Sequence, residues 1–232
     1  MTFRKTSQKV HVIIPAGGRS LRFSGDIKKQ FLVLGSKTVL DHTISAFLGV
    51  ENLGQIVVAL PEADLKTEQD QNQNKSVSFV VGGENRAQSV HHAFLALSEV
   101  QDQDVVLIHD AARPLVDRHV ILRVIQAASE YGAAIPGVAV ADTIKAIGHD
   151  GFIVETLDRS GLRAAQTPQG FFYEHLKAAY AIPHALTNQY TDEAMLVEKM
   201  GVRVKIVEGS PQNLKITTPF DFEVAKVLKG KA

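Results

Sequence analysis

Cysteine is absent from this 232-residue chain. That excludes disulfides, thiolate nucleophiles and cysteine-bound zinc or iron, and it accords with a reducing cytoplasm. No excess of either charge exists: 25 lysines and arginines face 25 aspartates and glutamates, so no overall field draws the chain to nucleic acid or an anionic membrane. Any basic site must be local. No window approaches the roughly 20 apolar residues of a membrane span. The N-terminal apolar run stops at Pro15, too short for a signal peptide, which leaves the first residues as a frayed tail. A soluble, cytoplasmic protein is expected. Two glycine signatures are missing as well. "GSKT" at 35–38 puts a serine between glycine and lysine where a Walker loop would not, and the dinucleotide pattern G-x-G-x-x-G does not occur.

With 45% hydrophobic residues the chain can bury a substantial core. Short β-branched runs, "VHVIIP", "QIVVALP", "SVSFVVGG", "DVVLIHD", "AAIPGVAV" and "VRVKIVEG", read as strands. Between them lie helical patterns, at 86–97 with Ala87, Val90, Phe94 and Leu97 on one face, and at 118–128. Strands apolar on both faces and alternating with helices predict an α/β, Rossmann-like layered fold with a mostly parallel sheet. Ligands of such sheets bind beyond the strands' carboxyl ends. The loops there are 15–29, 82–89 and 110–114, all small, polar or charged. "TEQDQNQNKS" reads as a solvated connection. No repeat or linker divides the chain, so residues 1–232 are read as one domain. One segment departs from the alternation: at 142–170, "TIKAI", the turn "GHDG" and "FIVETL" predict a hairpin arm of about 140–170 that must pack on a partner.

Each loop has a chemical and a plain reading. Gly17 and Gly18 allow close backbone approach, and the arginines and lysines that follow suit a polyphosphate; a solvated turn is the alternative. Gly83, Glu84 and Ser89 open a helix whose first amides can face an anion or a base edge, or they form an ordinary strand-to-helix turn. Asp110 can accept sugar hydroxyls or help hold a divalent ion, with Arg113 binding a phosphate; the plain reading is an Asp110–Arg113 pair. Arg159, Arg163 and Lys215 are candidates for a second anionic site, with Thr143 and Thr167 as hydroxyl donors. Their alternatives are a solvated hairpin face and a helix start, with Thr218 as cap and Pro219 first in the helix. His91, His92 and the other histidines form no metal-binding pattern.

In chain order, "PAGGRSLRF", "KKQF", "GGENRAQSV", "HDAARPLV", "DTIK", "LDRSGL", "QTPQGF", "TDEA" and "NLKITTP" closely resemble the 2-C-methyl-D-erythritol 4-phosphate cytidylyltransferases, over about 12–228. The resemblance implies a nucleotidyltransferase that joins CTP to 2-C-methyl-D-erythritol 4-phosphate and releases pyrophosphate. It implies Mg²⁺ or another divalent cation, held mainly by the triphosphate, and a homodimer made through the arm. Arg22 and Lys29 match the residues that stabilise transition-state charge, and Arg159 and Lys215 those that position the sugar phosphate. Ala16, Gly17, Gly18, Gly83, Glu84 and Ser89 match the nucleotide pocket; Asp110, Arg113, Thr143 and Thr167 match the sugar-phosphate site. The dimer would send Thr143, Arg159 and Thr167 to the partner's site.

Two residues depart from the family pattern. Ser20 stands where a second glycine is usual, and Lys28 where a proline precedes the lysine. Serine resists positive φ, and Lys28 is a rival to Lys29 for the same phosphate. Both bear on loop order and affinity rather than on reaction class. Other readings are a ribitol 5-phosphate cytidylyltransferase, a noncatalytic nucleotide-binding module of the same fold and, more distantly, a dehydrogenase.

Overall fold

Val12, Ile13 and Ile14 are fully buried although successive strand side chains point to opposite faces, so the strand they form has protein on both sides. The computed structural model describes residues 8–17, 28–187 and 189–230. In chain order its elements are β1 (Val10–Pro15), β2 (Val33–Leu34), β3 (Lys37–Thr38), α1 (Val39–Phe47), β4 (Leu53–Leu60), α2 (Glu62–Gln71) and β5 (Val77–Val81). There follow α3 (Arg86–Leu95), β6 (Val105–Ile108), α4 (Arg118–Tyr131), β7 (Ala133–Ala139), β8 (Ile144–Ile147) and β9 (Ile153–Leu157). The chain closes with β10 (Arg163–Ala165), β11 (Gln169–Phe172), α5 (Tyr173–Tyr180), α6 (Glu193–Glu198), β12 (Lys205–Glu208) and α7 (Pro219–Lys229).

The main sheet runs β5-β4-β1-β6-β11-β7, with β12 and β10 also paired to β7. Its β5, β4, β1 and β6 are parallel, with Ile13 opposite Val57 and Ile108, whereas β11 is antiparallel to β6 and β7. The predicted α/β layered fold is therefore present. Val12, Ile14, Ile56, Val58 and Leu107 join one core with Leu40, Phe47, Val120 and Val124 of α1 and α4. Ile13, Val57, Val106 and Ile108 face the other way, against Val90, Phe94, Leu176 and Leu196 of α3, α5 and α6. From β1 the chain moves outward to β4 and β5, then returns to place β6 on β1's other side. That reversal opens a crevice at the carboxyl ends of β1 and β6.

β8 and β9 form the expected hairpin, separate from the main sheet, with Gly151 at φ +82° in its turn. Ile147, Phe152, Ile153 and Val154 are 62–74% exposed, so the arm's apolar side chains are left uncovered by this chain. Two expectations need adjusting. The supposed solvated connection is helical through Gln71, as the end of a surface helix with no buried residue. The arm expected over about 140–170 ends sooner, since β10 and β11 pair with β7 and β6 of the main sheet; Gly170 of β11 leaves room for α4, as a Cβ there would come 2.9 Å from Val124 and 3.1 Å from Ala128. At the C-terminal end, Thr218 caps α7 in a capping box with Asp221, and Pro219 is its first residue, as the sequence predicts.

Candidate active site

The described residues of the three loops singled out in the sequence meet at one rim. A cavity of about 370 Å³ is walled by Ala16 and Gly17 after β1, Gly83 to Arg86 after β5, and Asp110 to Ala112 after β6. Lys29 and Lys215 also line it. Of the predicted residues, Gly18 and Arg22 lie outside the described residues, as does Ser20.

The nucleotide side is built on glycine. At Gly83 a Cβ would lie 2.2 Å from the Cβ of Gln88, so only glycine lets the chain turn so tightly into α3. Ser89, buried, holds that turn: its Oγ accepts from the Gly83 N–H at 3.0 Å and donates to the Asn85 carbonyl at 2.9 Å. Asn85 caps α3 by accepting from the Gln88 N–H. Gln30, buried, donates to the Ala16 carbonyl at 2.8 Å, tying the segment of Lys29 to the end of β1. Lys29 Nζ reaches the Ile216 carbonyl at 3.1 Å, beside Lys215.

Asp110 is the electrostatic centre. Its Oδ2 lies 2.8 Å from Lys215 Nζ and 3.6 Å from Arg113 Nε, and its Oδ1 lies 3.2 Å from Arg86 Nε. Burial pushes its pKa up, but the charges of Arg86, Lys215 and Arg113 outweigh that and hold it well below the usual carboxylate range. Arg86 is gripped from behind by Glu193, which is 3% exposed and accepts from Nη1 through both oxygens at 3.0 and 2.8 Å. Arg113 turns its Nη1 to the Asn213 carbonyl at 2.7 Å. The plain Asp110–Arg113 pair therefore exists, inside a wider network.

His109 braces this centre as a neutral ring. Its Nε2 donates to the Arg113 carbonyl at 3.1 Å, which leaves Nδ1 to accept from the Thr167 hydroxyl at 3.0 Å. The same hydroxyl oxygen accepts from the Asp110 N–H at 3.1 Å. Burial pushes the His109 pKa down to about 4. An unfolded histidine titrates near about 6.5, so as pH falls the unfolded chain takes up this proton first. Stability that is full above about pH 6.5 should decline by ~2–3 kcal/mol by about pH 4.5. Denaturant unfolding at pH 7 and 4.5 measures the loss, and His109→Asn should flatten part of the slope.

Thr167 requires a correction. It is buried against His109 and Asp110 of its own chain, which leaves its side chain no reach to a partner's site. Thr143 and Arg159 do not line this cavity: Thr143 is exposed before β8, and Arg159 is exposed on the short turn after β9, with Nη1 donating to the Ala141 carbonyl. Lys215 lines the cavity with Lys29, its Nζ 2.8 Å from Asp110 Oδ2. Sequence reasoning assigns no role to Arg86 or Glu193. Both stand inside quoted motifs, "GGENRAQSV" and "TDEA", but their pairing spans 107 residues and has no local signal.

A doubly wound sheet with a glycine-built pocket and converging cations at its switch point defines a nucleotide-binding α/β protein. The family model described as 2-C-methyl-D-erythritol 4-phosphate cytidylyltransferase matches residues 10–230, and the chain belongs to that family. A protein of that name from Acidobacterium capsulatum is 41% identical over 229 residues, covering 94% of this chain and 95% of its own. The "Bifunctional enzyme IspD/IspF" of Paramagnetospirillum magneticum is 40% identical over 222 residues, 95% of this chain but 56% of its own length. The crystal structure of 2-C-methyl-D-erythritol 4-phosphate cytidylyltransferase from Thermus thermophilus superposes with a TM-score of 0.78 at 34% identity, covering 95% and 98% of the two chains.

Proposed function

We propose that this chain joins CTP to 2-C-methyl-D-erythritol 4-phosphate, giving 4-diphosphocytidyl-2-C-methyl-D-erythritol and pyrophosphate. The observation that carries this reading is the single cavity in which a glycine-built pocket adjoins Lys29, Lys215 and Asp110. A sugar-phosphate oxygen attacks the α-phosphorus of CTP in line. The new P–O bond forms as the bond to the bridging oxygen breaks, and pyrophosphate leaves with that electron pair.

No general base is required, because a phosphate monoester with a second pKa near about 6 is already ionised at pH 7. The site's two obvious proton acceptors are committed elsewhere: Asp110 to three cations, and His109 to hydrogen bonds at both ring nitrogens. What remains is repulsion between two polyanions, countered by positive side chains aimed where charge develops. Lys29 and Lys215 serve there, joined by Arg22 from the opening loop. Asp110 holds Lys215 and Arg86 in place and accepts a sugar hydroxyl, while backbone groups of Ala16, Gly83 and Glu84 read the cytosine.

Among the described residues no cluster of three or more histidines or carboxylates could cage a metal. A divalent cation carried by the triphosphate would withdraw charge from the phosphates. The protein is proposed to be a homodimer, supported by the exposed apolar side chains of its arm. In the dimer, Arg159 and Thr143 reach the partner's sugar phosphate. Among the described residues no helix is long and apolar enough to cross a membrane, and the proposed location is cytoplasmic.

Pyrophosphate release with CTP, assayed side by side with methylerythritol phosphate and ribitol 5-phosphate, tests the reaction. Turnover with the first alone supports it, and a preference for the second gives the ribitol enzyme. Arg159→Ala should raise KM for the sugar phosphate roughly 10- to 100-fold, the worth of a hydrogen bond to a charged group. Mixed with Lys29→Ala protomers exchanging at random and assayed at sugar phosphate well below the raised KM, it should regain up to about one quarter of wild-type activity, since each mixed dimer holds one intact site. No recovery would argue against arm exchange.

A further inference from the structure

Lys28 and Lys29 adjoin in sequence but are drawn in opposite directions. Lys29 lines the cavity, whereas Lys28 Nζ lies 2.5 Å from Asp64 Oδ2 in the first turn of α2. Neither member of that pair is deeply buried, the two side chains being 37% and 22% exposed. Lys28 is therefore held by α2, and the expected rivalry with Lys29 for a phosphate does not arise in this arrangement. Its backbone is the second observation: φ −65° and ψ 136° at Lys28 coincide with the φ of about −65° that a proline ring imposes. The Lys28 carbonyl accepts from the Phe31 N–H at 2.9 Å, a bond that starts the short turn carrying Lys29 and that a proline would leave intact.

We infer that the Lys28–Asp64 pair is a positioning device that sets Lys29 in the active site, doing electrostatically what a proline at position 28 would do by ring closure. Asp64 is then a positioning residue for the reaction, acting from a helix with no buried residue and no contact with the substrate cavity. The alternative role for Asp64, a negative charge favourable at the start of α2, is separable by experiment. A pair working through Lys29 becomes redundant once the backbone is fixed covalently, whereas a helix-start effect does not.

The inference rests on the proposed reaction, and the test is a double-mutant cycle read as pyrophosphate release from CTP and methylerythritol phosphate. Asp64→Asn and Lys28→Ala should each lower kcat by about 2- to 5-fold, the range open to a partly exposed ion pair, with KM for the sugar phosphate unchanged. Lys28→Pro introduced into the Asp64→Asn protein should restore most of the lost kcat, and charge reversal as Lys28→Asp with Asp64→Lys should restore part of it. Asp64→Asn with wild-type kcat, or an equal loss from it in the presence and absence of Lys28→Pro, would overturn the inference. Should Lys28→Pro fail to fold, charge reversal decides: no recovery beyond the single substitutions overturns it. Inactivity of the unmodified protein would instead bring down the reaction, and with it this role for the pair.

Discussion

Lys29→Ala is expected to lower kcat by roughly 10³-fold or more while the protein stays folded, by analogy with other cations that meet the charge of a phosphoryl transition state. The structure explains why fold and turnover separate. Lys29 is half-buried on a single turn whose anchor is its neighbour Gln30, bonded to the Ala16 carbonyl, so truncation leaves that anchor in place. Loss of the hydrogen bond from Nζ to the Ile216 carbonyl should cost about 1–2 kcal/mol, a shift of a few degrees in Tm for a chain of this size. Steady-state kinetics beside a thermal melt make the comparison. Near-normal turnover in a folded variant would remove Lys29 from the mechanism.

Asp110→Ala should damage both stability and substrate binding. Three cations depend on one carboxylate, and its removal leaves Arg113, 11% exposed in its side chain, beside Arg86 and Lys215 with nothing between them. Breaking a buried pair by deleting one partner costs about 3–5 kcal/mol. Here about 2–4 kcal/mol is expected, because Lys215 is 39% exposed and Arg86 keeps Glu193. Denaturant unfolding at pH 7 measures it. The sign with pH follows from the lowered carboxyl: its stabilisation is full above the unfolded value near about 3.9 and is lost as pH falls through the folded one. At strongly acid pH the variant and the parent should therefore converge. KM for the sugar phosphate should rise as well, since Lys215 loses the partner that orients it.

Much of the architecture was legible because the strands are apolar on both faces. A run such as Val12 to Ile14 has no solvent-facing alternative, and its flanking helices follow from period and length. The arm was legible for the opposite reason, having a turn and alternating residues but too little to bury by itself. The rule that ligands sit at strand carboxyl ends brought Gly17, Gly83 and Asp110 together correctly. Long-range polar pairing was beyond it. Arg86 reaches Glu193 across 107 residues and Thr167 reaches His109 across 58, and no local pattern distinguishes such side chains from solvated ones. β11 also escaped, because its defining feature is the room Gly170 leaves for α4, a property of two elements together.

The central claim is convergence: cations from separate segments, and from two protomers, surround one bond between two anionic reactants. A crystal structure with CTP and methylerythritol phosphate bound tests it most directly. The account predicts the triphosphate in the cavity between Gly83 and Asp110, with Lys29 and Lys215 of one protomer and Arg159 of its partner about 2.7–3.2 Å from phosphate oxygens. Nucleotide bound elsewhere, or these three side chains far from any phosphate in every pairing of protomers, would contradict it.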